Sequence, residues 1–131
     1  MTSKFLTPLE LECFEKDGIW RLLAPLVYYS AHLSQGIEIP EGFYTDLASV
    51  PRIPFIYSLW GDRSHYEAVV HDYLYRSDSF PLVSCSSANK IFKEAMYARN
   101  KPKRIALPMY WGVCLGGWRT FHKRKVGDIL K

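Results

Sequence analysis

Cysteine is scarce in this chain. Cys13, Cys85 and Cys114 are scattered along 131 residues, odd in number and at no metal-ligand spacing. A disulfide framework is therefore not expected, and a reduced, cytosolic place of synthesis is. Zinc lacks a second clustered histidine or cysteine. Long apolar runs are missing too. The best one, Ile105 to Phe121, falls short of the about 20 residues a bilayer span needs, and Pro108 and Arg119 interrupt it. Met1 to Leu11 holds one lysine and no apolar core, so no signal peptide is expected. Gly112, Gly116 and Gly117 make no nucleotide fingerprint, and neither a serine elbow nor a cysteine-nucleophile context occurs. Repeats and low-complexity tracts are absent. With 48% hydrophobic residues, the composition excludes a disordered chain.

Acidic residues are nearly absent from one end. From Lys101 onward, eight basic residues face Asp128 alone, whereas the first hundred residues are net acidic. The formal charge of +4 thus describes an acidic body with a basic tail.

The length suits one domain, residues 1–131. Its expected parts are a β-rich segment 1–45, a proline-containing loop 46–60 and a helical segment 61–125. Leu9, Leu11 and Cys13 alternate with Glu10 and Glu12, as a half-buried strand does. Lys16-Asp17-Gly18 and Ser34-Gln35-Gly36 read as turns, and Pro25 marks an edge or a bulge within the strand-rich stretch Ile19 to Ala31. Ile37 to Ile39 alternates again before Pro40-Glu41-Gly42. One antiparallel sheet of three or four strands follows.

Three helices are expected after it. The first is capped by Asp62 or Ser64 and runs to about Arg76; its apolar residues surround nearly the whole cylinder, which marks a buried helix. The second is capped by Ser84 or Ser86. Its residues Ala88, Ile91, Phe92, Ala95 and Met96 fall at i, i+3, i+4, i+7 and i+8, and Asn100-Lys101-Pro102 ends it. A third runs from about Arg104 to Lys123, either a core helix with a solvated basic end or, given Trp111 and Trp118, a membrane-interface segment. The fold class is α+β, a small N-terminal sheet packed with about three C-terminal helices.

Two segments carry polar groups where packing alone would not place them. They are Gly42 to Arg52, which includes Thr45, Asp46 and Ser49, and His71-Asp72-Tyr73-Leu74-Tyr75-Arg76. A histidine and an aspartate inside an apolar helix cost several kcal/mol if unpaired. Asp46, Ser49 and Asn89 are the candidate partners, and Arg52 can pair with Asp46 or Asp72. Thr45-Asp46 by itself reads as an Asx turn or cap. His71 is either a general base held by a carboxylate or amide, or part of a polar network pinning the helix. Asp72 and nearby carbonyls are the one plausible oxygen set for calcium.

The segment GFYTDLASVPR (42–52), followed by HDYLYR (71–76), resembles a widespread family of uncharacterised phage and prophage proteins. That family carries a GF-x-TD-x-ASVPR segment, an HD-x-LY helix and an AD-x-x-F helix. Asn89, in Ala88-Asn89-Lys90-Ile91-Phe92, stands where the family usually has aspartate. The resemblance implies a phage or prophage origin and a place in the virion or the host cytoplasm. His-Asp-x-x-Tyr-Arg is also similar to the active-site helix of prokaryotic phospholipases A2. That similarity implies His71 as base, Asp72 as calcium ligand and Asn89 as the residue orienting His71; the phospholipase calcium loop and disulfides are not visible here.

Three functions are consistent with these readings. The first is a virion component, in the tail or baseplate, contacting other phage structural proteins. The second is a small hydrolase using His71 and Asp72 at the host envelope, with Arg119, Lys123, Arg124 and Lys125 meeting a membrane or another anionic surface. The third is an anti-host or nucleic-acid-binding factor; no DNA-binding motif supports it, and nucleic acid is not the expected partner.

Overall fold

The structure is a computed structural model that describes residues 2–13, 19–45 and 65–116. The hairpin turn at Lys16-Asp17-Gly18, the helix caps at Asp62 and Ser64, and the loop 46–60 with Asp46, Ser49 and Arg52 lie outside the described residues. So do Trp118, Arg119, Lys123, Arg124 and Lys125. The described fold is α+β, as the alternation and periodicity predict: β-strands in the N-terminal half, then three helices.

The described strands form two antiparallel sheets rather than one. Strands β1 (Lys4–Phe5), β4 (Leu26–Ser30) and β5 (Gln35–Ile39) pair in the order β1-β4-β5. Strands β2 (Leu11–Cys13), β3 (Trp20–Leu22) and β6 (Tyr44–Thr45) pair in the order β2-β3-β6. Pro25 accounts for the division. It offers no N–H to a ladder, and it sits in the bend between β3 and β4, each the middle strand of its own sheet. It is a break between two central strands, not an edge residue.

The turn expected at Ser34-Gln35-Gly36 lies earlier, at Ala31–Ser34, with Ser34 taking the left-handed φ of 54°. The buried pairs Leu26↔Ile39 and Tyr28↔Ile37 set this register, because a one-residue slip would turn them all to solvent. At Pro40–Phe43, Gly42 has φ 85° and the Phe43 N–H bonds the Pro40 carbonyl at 3.2 Å. That is a type II turn, whose third position favours glycine. It delivers Phe43 into the core and Thr45 toward the helices.

Helices α1 (His65–Leu74), α2 (Cys85–Ala98) and α3 (Lys103–Gly116) follow. Ser84 caps α2, its hydroxyl accepting the Ser87 N–H at 3.0 Å. The buried face of α2 is Ala88, Asn89, Ile91, Phe92, Ala95 and Met96, the expected stripe with one amide in it. Asn100, at φ 64°, ends α2 in a Schellman motif: its N–H bonds Tyr97 and that of Lys101 bonds Met96. Leu22, Leu26, Tyr28, Ile37 and Ile39 pack on Val69, Val70, Tyr73, Ile91 and Ala95. A second cluster joins Ala68, Phe92 and Met96 to Ile105, Ala106, Met109 and Val113 of α3. Each large side chain so buried contributes roughly 1.5–3 kcal/mol. Among the described residues, no helix is long and apolar enough to cross a membrane.

Candidate functional site

His71 and Asp72 are adjacent on α1, so their side chains leave the helix about 100° apart. They enter two different networks. His71 faces α2, where its Nε2 lies 2.8 Å from Asn89 Oδ1. The Tyr75 hydroxyl, one turn on, donates to the same oxygen at 2.6 Å, and its ring lies 4.2 Å from the imidazole. An amide oxygen only accepts, so His71 Nε2 carries the proton and Nδ1 keeps a lone pair. The amide orientation follows from its other end, where Asn89 Nδ2 lies 3.9 Å from Cys85 Sγ and 3.8 Å from Cys114 Sγ.

His71 is 2% exposed, and its Nδ1 is buried with no hydrogen-bond partner among the described residues. An unpaired buried acceptor costs about 1–3 kcal/mol. Burial lowers the imidazole pKa to about 4, with the Asn89 bond a smaller opposing effect. His71 is therefore neutral at pH 7. Burial first, and the Cys85 contact second, push the Tyr75 hydroxyl well above its ordinary range, so it stays a donor.

A pH dependence follows. The unfolded chain takes up a proton near pH 6.5, while the folded chain resists until about pH 4. Stability is full above pH 6.5 and falls as pH drops toward 4, by on the order of 3 kcal/mol from this group. Urea denaturation across that window should show the decline, and His71→Gln should remove it. An equally steep decline in the variant would assign the effect to other groups.

Asp72 faces the sheet. Thr45, on β6, donates its hydroxyl to Asp72 Oδ2 at 2.7 Å, while the Asx turn or cap expected at Thr45-Asp46 rests on Asp46, outside the described residues. Arg76 Nη2 lies 3.0 Å from Oδ1 and 3.1 Å from Oδ2. Both partners are buried, and the guanidinium sits 5.7 Å from the Phe43 ring centre. Asp72 thus spends its charge on an arginine, an arrangement that does not fit a calcium ligand. Among the described residues no group of three His, Cys, Asp or Glu side chains is placed to hold a metal ion.

Of the sequence candidates, His71, Tyr75 and Asn89 are brought together, and Thr45, Asp72 and Arg76 form a separate cluster. Asp46, Ser49 and Arg52 lie outside the described residues. Two groups escaped sequence reasoning. The Cys85 and Cys114 thiols meet at Asn89, although nothing in their spacing signals it. Glu67, fully buried, pairs with Lys101 Nζ at 2.8 Å and lies 3.6 Å from Arg99 Nε. A carboxylate inside the most apolar helix was the available signal, since it demands a partner.

Compared with known proteins, residues 20–113 match the model of a family described as "Protein of unknown function (DUF1353)". That span contains both networks apart from Cys114. No curated protein and no solved structure matches the chain.

Proposed function

The chain belongs to the DUF1353 family of proteins of unknown function, and from that premise we propose that it is a phage or prophage accessory protein in which His71 is the general base of a small hydrolase. The observation that carries this reading is the state of the imidazole: Nε2 is committed to Asn89, and Nδ1 has no hydrogen-bond partner among the described residues. A base must be neutral and must keep a free lone pair at working pH.

In this reading Nδ1 takes a proton from a water molecule as that water attacks an ester or amide carbonyl. The same nitrogen then returns the proton to the leaving group. Asn89 holds the tautomer, and Tyr75 holds Asn89. An amide cannot neutralise the imidazolium as a carboxylate would, so the base is weak and works best on activated esters. Envelope lipids and related esters are the substrate class.

The test is hydrolysis of fluorogenic phospholipid and short-chain ester substrates. His71→Gln should abolish turnover with a melting temperature within a few degrees of wild type. Turnover surviving in the variant, or absent from the wild type, overturns the reading.

Enclosure of His71 favours a second reading, in which the network only pins α1 to α2 and the protein is a tail or baseplate component. Phe80, 77% exposed, and Leu82, 66% exposed, are apolar surface of the kind subunit contacts use. Mass spectrometry of purified particles should then find the chain at fixed copy number, and its absence would sink this reading.

A further inference from the structure

Helix α3 is apolar on two sides. One side, Ile105, Ala106, Met109 and Val113, is buried against α1 and α2. On the other, Pro108, Trp111 and Leu115 recur at i, i+3 and i+7, which places them along one stripe, with Arg104 a turn earlier on the same line. Trp111 is 57% exposed and Leu115 is 80% exposed. A helix needs one apolar face to join a core. The second has no such purpose.

The charges around the stripe say what would cover it. Lys103 and Arg104, both exposed, open the helix, and no acidic residue occurs from Lys103 to Gly116. In sequence, residues 117–131 add Arg119, Lys123, Arg124, Lys125 and Lys131 against Asp128 alone. Tryptophan prefers the boundary between headgroups and acyl chains, and each nearby lysine or arginine adds attraction to anionic lipid.

We propose that the outer face of α3, Trp111 and Leu115 with Lys103 and Arg104, docks the protein onto an anionic membrane surface. The helix lies in the plane of the interface, because its described length, Lys103–Gly116, is too short to span. Cys114 lies between Trp111 and Leu115, is itself exposed, and contacts Asn89. The docking face therefore adjoins the His71 network. The proposal does not depend on catalysis by His71, since it is read by binding alone.

The experiment is co-sedimentation of the full chain with vesicles of phosphatidylcholine and of phosphatidylcholine mixed with phosphatidylglycerol. Binding is expected to the mixed vesicles, to weaken as salt is raised, and to be poor with phosphatidylcholine alone. The double variant Trp111→Ser/Leu115→Ser should lose at least about tenfold in affinity, and so should Lys103→Gln/Arg104→Gln. All four positions are exposed, so thermal unfolding should match wild type and separate lost binding from lost folding. No binding to mixed vesicles, or variants that bind as wild type does, overturns the proposal. So does a solution dimer that Trp111→Ser/Leu115→Ser dissociates, because the stripe would then be covered by a second copy.

Discussion

Asp72→Ala should destabilise the protein by about 3–5 kcal/mol, the cost of leaving a buried charge without its partner. Arg76 is 1% exposed, and its Nε already has no hydrogen-bond partner among the described residues. Without the carboxylate, the guanidinium would keep its charge beside the Phe43 ring, where water cannot reach it. Thr45 would also lose the acceptor of its 2.7 Å hydrogen bond. Arg76→Met in the Asp72→Ala background should recover part of the loss, because it removes the stranded charge. Urea denaturation of the two single variants and the double variant closes a thermodynamic cycle. An Asp72→Ala cost below about 1 kcal/mol would mean that the pair behaves as a solvated surface bridge.

Lys101→Ala should be the next most damaging change, at about 3 kcal/mol, toward the lower end of what breaking a buried pair costs. Glu67 is fully buried, and its Oε2 makes no hydrogen bond among the described residues, so the 2.8 Å bond from Lys101 Nζ to Oε1 is its main compensation there. Arg99 softens the loss: its Nε lies 3.6 Å from the same oxygen, and its guanidinium stacks at 3.8 Å on Tyr66. Backbone strain does not contribute, since the Schellman bond uses only the Lys101 N–H. Lys101→Ala/Glu67→Leu should be more stable than Lys101→Ala alone, measured as a higher urea midpoint. A double variant no better than the single would show that cavity and packing, not charge, dominate the site.

Lys101 also revises the charge map. Read along the chain, it is the first residue of the basic end. In the fold it is 5% exposed and neutralises Glu67, so the exposed part of this basic end begins, among the described residues, at Lys103 and Arg104.

The helices were the most legible part of the fold. On α2 the apolar stripe, the Ser84 cap and the Asn100 stop agree, because each is a local property of a few neighbouring side chains. The strands were legible as strands but not as sheets. Alternation shows which face of β4 and β5 is buried, whereas the splitting of the six described strands into two sheets depends on pairing between distant segments.

The site divides in the same way. From the sequence alone came the need for partners: a histidine and an aspartate inside an apolar helix cannot stay unpaired, and Asn89 stood on the face of α2 that had to be buried. Helical geometry also makes His71 and Tyr75, and Asp72 and Arg76, neighbours at i,i+4, although the sequence points to Arg52, not Arg76, as the arginine for Asp72. Only the tertiary structure decided that the two residues serve separate networks, with Asn89 and two thiols on one side and Thr45 and Arg76 on the other. Adjacent residues on a helix point about 100° apart, and what each meets depends on which element packs there. The same reason hid the Glu67–Lys101 pair. Its members are 34 positions apart, and only the packing of α1 against the turn after α2 brings them together.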